Sequence, residues 1–167
     1  RLITSACGLP DYWPLPRLVD RLGLRKISPG LFVKADVVSE CVKRLNSLAE
    51  IFRKTGGVHA AAVYKADGKL MDFAEDVGRH NAVDKVVGSG FLKKLMFSDC
   101  FLALSGRLTG DIVLKAAKAG IPVVASMATA IDSGITVAEK TGITLVGFVR
   151  GSRMNIYTHP ERVSFSE

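Results

Sequence analysis

From residue 99 onward the chain alternates apolar runs with amphipathic ones. Phe101–Leu104, Pro122–Ala125 and Ile143–Val149 read as short buried strands. Between them lie helix-patterned segments, about Asp111–Ala119 ending at Gly120 and about Asp132–Lys140 ending at Gly142. A strand–helix–strand–helix–strand order this compact leaves few folds. Parallel strands need crossover connections, and right-handed helical crossovers lie on a face of the sheet.

The upstream half completes an α/β class with a mixed sheet. Asp36 starts a helix whose buried face repeats at i, i+3/i+4 through Val37, Val38, Cys41, Val42, Leu45, Leu48, Ala49 and Phe52, stopped by Gly56-Gly57. Val58–Tyr64 and Leu70–Ala74 read as antiparallel strands joined by a turn at Asp67-Gly68. A helix is expected from about Asn81 to Val87. Gly88-Ser89-Gly90 interrupts it, and Phe91–Met96 resumes it. Met154–Thr158 is a last short strand. Residues 1–34, broken by Pro10, Pro14, Pro16 and Pro29, read as an irregular arm, and 35–167 as one domain.

No apolar run reaches membrane-spanning length and no signal-peptide layout is present. The chain opens on Arg1, as a processed chain or one lacking an upstream region would. Three cysteines, at 7, 41 and 100, include no C-x-x-C pair, which favours a reducing, cytoplasmic setting over a disulfide framework. Cys41 and Cys100 fall on apolar faces. The formal charge of +7 is concentrated in residues 1–55, with ten Lys/Arg against five Asp/Glu, and implies an anionic partner. Sparse aromatics, not interleaved with basic residues, argue against a nucleic-acid platform, which would rest on charge alone.

The chemistry-bearing residues gather at junctions. Ligands of open α/β sheets sit beyond the carboxyl ends of the parallel strands. Here those ends carry Ser105-Gly106-Arg107, Ser126 and Arg150-Gly151-Ser152-Arg153, with the hydroxyls, backbone amides and guanidinium forks that bind phosphate. Ordinary loop chemistry is the alternative. Glu75-Asp76-Val77-Gly78-Arg79-His80-Asn81-Ala82-Val83-Asp84-Lys85 is the densest polar stretch. It suits a ligand site, or a turn with Asn81 capping and Asp84 in the first helical turn. His59, behind Gly56-Gly57, fits either a core or a site role; His159 has less around it. The histidine spacing gives no metal site, and no G-x-S-x-G occurs. Cys7, in Thr4-Ser5-Ala6-Cys7-Gly8, is either a reactive sulfur nucleophile or an inert surface thiol.

Taken in order, Gly56-Gly57-Val58-His59-Ala60-Ala61, the stretch Glu75–Lys85, Ser105-Gly106-Arg107, Gly142-Ile143-Thr144-Leu145-Val146-Gly147-Phe148 and Tyr157-Thr158-His159-Pro160-Glu161-Arg162 closely resemble the formate dehydrogenase accessory sulfurtransferase family, FdhD, over roughly residues 4–163. The resemblance implies a cytidine-deaminase-like, three-layer α/β/α fold. It implies a sulfur carrier, a sulfurtransferase that takes persulfide sulfur from a cysteine desulfurase. The sulfur passes to the molybdenum bis-molybdopterin guanine dinucleotide cofactor required for formate dehydrogenase activity, with a guanine nucleotide such as GDP as a partial mimic. Cys7 would carry the persulfide. The cofactor site would draw on His59, Asp76, Gly78, Arg79, His80, Asn81, Asp84, Lys85, Ser105, Gly106, Arg107, Ser126 and Phe148, Val149, Arg150, Gly151, Ser152, Arg153. The expected partners are a cysteine desulfurase, formate dehydrogenase and a second copy of the chain, in the cytoplasm, with no membrane or nucleic acid.

The chain departs from the family pattern at named places. The family's cysteine loop reads C-G-x-C-G; Cys7 matches its first cysteine and Pro10 stands at the second. One thiolate still suffices to hold a persulfide. Met127, Ala130 and Ile131 replace a basic residue and an Ala-Pro-Thr context after Ser126, and the β-rich part that family members carry upstream is not in these residues. Zinc-deaminase chemistry needs H-x-E and P-C-x-x-C; His59 is followed by Ala60-Ala61 and the cysteine pair is absent. With Pro10 in that place, the alternative is a non-catalytic, cofactor-binding chaperone of formate dehydrogenase.

Overall fold

The computed structural model describes residues 19–21, 23, 24, 26–28 and 30–165. The elements run β1 (Val33–Lys34), α1 (Ala35–Leu48), α2 (Glu50–Thr55), β2 (His59–Lys65), β3 (Leu70–Asp76), α3 (Arg79–Leu92), β4 (Cys100–Leu104), α4 (Gly110–Ala119), β5 (Val123–Ser126), α5 (Asp132–Thr141), β6 (Thr144–Arg150), β7 (Arg153–Thr158) and β8 (Val163–Ser164), with 3-10 turns at Phe97–Asp99 and Pro160–Arg162.

The main sheet has the order β3-β2-β4-β5-β6-β7. β4, β5 and β6 are parallel, as the strand–helix alternation predicts, while the outer pairs β2–β3 and β6–β7 are antiparallel. A separate pair, β1 and β8, runs parallel. Alternation along each strand sends Ala61, Val63, Leu102, Leu104, Val124 and Leu145 toward α3, α4 and α5. Ala60, Ala62, Phe101, Ala103, Val123 and Val146 face α1 instead. The result is the expected three-layer α/β/α sandwich. Val19, in the helical residues 19–21, is buried in the α3–α5 layer. Arg162, 1% exposed, donates to Thr144 Oγ1 and to the Ile27 carbonyl, both at 3.1 Å, and so fastens the segment around Ile27 to the sheet.

Three boundaries differ from the sequence reading. The helix begun at residue 35 breaks at buried Ala49, because the Glu75 carboxylate accepts from the Ile51 and Phe52 amides at 3.1 and 2.8 Å and starts a second helix there. Helix α3 begins at Arg79, with Gly78 rather than Asn81 at the cap position. It then runs unbroken through Gly88-Ser89-Gly90, where an interruption is expected from the glycines. Gly90 is required by packing, since a Cβ there would lie 2.4 Å from the ring of Phe97, and Phe97 meets Phe91 edge to face at 5.1 Å. Tertiary contact has overridden local propensity.

Gly134 and Gly88 make opposite predictions. A Cβ at Gly134 would sit 2.2 Å from the Leu108 carbonyl oxygen, whereas one at Gly88 meets open space. Gly134→Ala is expected to destabilise the fold by about 1–3 kcal/mol through overpacking. Gly88→Ala is expected to stabilise it by up to ~1 kcal/mol through helix propensity. Urea unfolding of both variants checks the sign of each.

Candidate functional site

One edge of the sheet collects nearly every residue singled out by sequence. β4, β5 and β6 end there at Leu104, Ser126 and Arg150, and antiparallel pairing places His59, the first residue of β2, and Asp76, the last of β3, on the same edge. The N-termini of α3 and α4 start beside them. These ends concentrate backbone amides and partial positive charge.

On the α3 side the side chains form a connected group. Ser105 Oγ accepts the Ala60 amide at 3.0 Å and lies 3.3 Å from His59 Nδ1. Arg79 lies across Gly106, where a Cβ would meet the Arg79 Cβ at 3.0 Å, and its Nε is buried without a hydrogen-bond partner. His80 is buried and pairs through Nε2 with Asp111 Oδ2. Thr109 donates to the other Asp111 oxygen, which also accepts the Ile112 amide at 3.1 Å. Burial holds both imidazoles below the ordinary histidine range. For His59, Arg79 and then His80 add to that effect; for His80, burial prevails over the opposing pull of Asp111.

Asp76 organises the turn into α3. One oxygen accepts from the Gly78 amide at 2.9 Å and Asn81 Nδ2 at 3.0 Å; the other pairs with Lys85 Nζ at 2.6 Å. Lys85 also donates to the Glu75 carbonyl at 3.0 Å. Asp84 is exposed and pairs with Lys115 of α4. Thus Asn81 and Lys85 are both bonded to Asp76, while Arg79 lies against Gly106 and His59 against Ser105 at the end of β4. Arg107 is exposed in the following loop.

A second group lies on the α1 side. Val149, Arg150 and Gly151 border a cavity of about 260 Å³ with Ser39, Lys43, Asn46 and Met127, and Ser39 donates to the Gly151 carbonyl. Phe148 takes a left-handed backbone (φ 51°), unusual for an aromatic residue, and the Arg150 guanidinium lies 6.0 Å from its ring centroid. Ser152 and Arg153 are exposed at the start of β7. The groups are stitched together by backbone. Ser126 Oγ donates to the Leu104 and Gly106 carbonyls and accepts the Ala128 amide at 3.0 Å, and the Ala128 carbonyl accepts the Phe148 amide at 2.9 Å. Ser126 is fully buried, so its hydroxyl serves this joint.

Sequence reasoning missed Asp111, Thr109, Ser39 and Lys43. Thr109-Gly110-Asp111 carries a signal, but it is that of an ordinary helix start. Cys41 and Cys100 are buried thiols; burial pushes Cys41 up to about 11 and raises Cys100. Cys7 and Pro10 lie outside the described residues. Among the described residues no group of three or more His, Cys, Asp or Glu is placed to hold a metal, and no helix is long and apolar enough to cross a membrane.

The fold and edge define an α/β/α domain with a deaminase-like architecture. Guanine deaminase from Nitrosomonas europaea has this fold at a TM-score of 0.53 and 14% identity, over 89% of this chain and 92% of that one. The chain belongs to the FdhD/NarQ family, whose sequence profile matches residues 1–164. It is 43% identical to the sulfur carrier protein FdhD of Thermoplasma volcanium over 98% of this chain and 58% of that protein. Against the protein of that name from Sulfolobus acidocaldarius the identity is 47%, over 77% of this chain and 51% of the relative. A crystal structure assigned as a formate dehydrogenase accessory protein, from Desulfotalea psychrophila, superposes with a TM-score of 0.77 at 33% identity, covering 84% of this chain and 61% of that chain. The chain spans a little over half the length of the curated relatives it matches.

Lys85, with the Gly78 amide and Asn81, holds the Asp76 carboxyl down at about 2, against an ordinary value of 3.8. A depressed carboxyl stabilises the fold fully above its unfolded value, and that contribution disappears as pH falls through the folded value. The stability gap between the native chain and Asp76→Asn is therefore expected to be constant from pH 7 to about pH 4 and to close toward pH 2. Denaturant melts across that range check it; a gap that closes near pH 5 would contradict the assignment.

Proposed function

We propose that the chain is a sulfur carrier serving formate dehydrogenase. It accepts persulfide sulfur from a cysteine desulfurase and passes it to the molybdenum bis-molybdopterin guanine dinucleotide cofactor. The observation that carries this reading is the family match across residues 1–164, which includes Cys7 in its small-residue loop. In the loading step the Cys7 thiolate attacks the outer sulfur of the donor's persulfide. The donor's S–S bond breaks, its cysteine leaves as a thiolate, and a new S–S bond forms on Cys7.

The cofactor is the substrate, and the sheet edge fits its chemistry. Two helix N-termini and the Arg79 guanidinium suit its phosphates on the α3 side. On the α1 side, Arg150 and Lys43 border the roughly 260 Å³ cavity and the Phe148 ring lies 6.0 Å from the Arg150 guanidinium, so a diphosphate would find charge there and a guanine an aromatic face beside it. Phe148–Arg153, with His59, Asp76, Gly78, Arg79, His80, Asn81, Asp84, Lys85, Ser105, Gly106 and Arg107, are the proposed contacts, with GDP as a partial mimic. The working assembly is a cytoplasmic homodimer, which light scattering of the full-length protein tests.

Incubation with a cysteine desulfurase and cysteine, followed by intact mass measurement, is expected to show one added sulfur on the native chain and none on Cys7→Ala. Equal loading of both would end the carrier reading. Pro10, standing where the family has its second cysteine, favours a second reading as a cofactor-binding chaperone. That reading gains if Cys7→Ala, without sulfur loading, still restores formate dehydrogenase activity in cells lacking the protein.

A further inference from the structure

The contacts of His59 point to more than a passive lining. Ser105 Oγ accepts the Ala60 amide and lies 3.3 Å from His59 Nδ1. When the neutral ring carries its proton on Nε2 the hydroxyl donates to Nδ1, and in the imidazolium Nδ1–H donates to the hydroxyl's remaining lone pair, so the contact positions the ring in both states. The chain path allows little else. His59 lies opposite Asp76 in the β2–β3 register, and the Asp76 oxygens are taken by Lys85, Asn81 and the Gly78 amide. From α3, Arg79 and His80 are the charged neighbours; His80 is held by Asp111 of α4. His59 is therefore a neutral imidazole beside a guanidinium whose Nε lacks a partner, with Ser105 behind it.

We propose that His59, Arg79 and Ser105 form a proton-linked subsite for a phosphate-type oxyanion, in which anion binding recruits one proton to His59 and Ser105 positions the ring. The proposal rests on reading this edge as the phosphate-binding side of the cofactor site. A dianion beside Arg79 offsets the guanidinium charge that, after burial, disfavours the His59 imidazolium, and the imidazolium then adds a second charged donor. Without an anion, burial and Arg79 hold His59 below the usual histidine range. With the anion bound its proton affinity rises, so binding strengthens as pH falls through the interval between the two values. One linked proton permits up to about tenfold in affinity per pH unit there.

Sulfate is the probe, because it carries two charges throughout pH 5–8 and takes up no proton of its own. The chain has three histidines, so their ring carbon resonances separate readily in an NMR pH titration of histidine-labelled protein, with His59→Gln to assign the signal. Saturating sulfate is expected to raise the His59 midpoint by a unit or more, to move His80, which also faces Arg79 but is held by Asp111, by less, and to leave His159 in place. Arg79→Gln should abolish the rise, and Ser105→Ala should shrink it and change the tautomer signature of the His59 ring nitrogens. GDP at matched concentration distinguishes a nucleotide source, moving the same resonance at lower concentration than sulfate. A His59 midpoint indifferent to sulfate, or an equal rise in Arg79→Gln, overturns the proposal. Neither result involves a thiol or a sulfur transfer, so this outcome and the persulfide loading of Cys7 fail or succeed separately.

Discussion

β4 buries all five of its residues, Cys100–Leu104, and the rest of the molecule is arranged to keep water from both of its faces. On one side Phe101 and Ala103 pack with the α1 layer; on the other Cys100, Leu102 and Leu104 pack with α3, α4 and α5. Two-sided burial leaves no place for a polar side chain within the strand. Chemistry is pushed to its end, where Ser105-Gly106 begins. β5 and residues 144–147 of β6 are buried as well, their Ser126 and Thr144 hydroxyls donating to backbone carbonyls, and this burial explains why a single edge gathers hydroxyls, guanidinium groups and helix N-termini.

Charge at that edge is sorted rather than simply accumulated. The acids nearest the α3 start are each engaged: Asp76 by Lys85 and Asn81, Asp84 by Lys115, Asp111 by His80 and Thr109. The Arg79 Nε has no such partner. The donor left unengaged beside the two helix N-termini is thus the Arg79 Nε, which the near balance of charges in residues 75–85 does not reveal.

The sheet was legible because its buried strands are continuous apolar runs and its helices carry a clear i, i+3/i+4 face. Gly88-Ser89-Gly90 misled, since the need for a bare backbone against Phe97 appears only once Phe97 folds back on α3. The junction at 75–85 was visible as dense polarity, but the division of labour within it was not. Asp76 holds the turn through near neighbours, but Glu75 caps α2, a task set by an element more than twenty residues upstream. Ser126 was found by its place at a strand end, and only its complete burial shows that it joins backbone to backbone. His80 and Asp111 meet because two helices begin side by side, which no spacing rule reports.

Glu75 and Asp76 are adjacent, yet they serve opposite layers. Glu75 reaches α2 on the α1 side, and Asp76 faces the start of α3. Strand alternation assigns them by parity. Losing or gaining one residue between Asp72 and Glu75, while the pairing upstream stayed fixed, would exchange their destinations, stripping the α2 cap and the α3 turn at once. The bulge at Met71, which lies between the Val63–Asp72 and Tyr64–Leu70 pairs, is the place in β3 where a length change can be absorbed without that exchange. The two acids thus depend on strand length counted from the bulge onward, and not on the strand's composition alone.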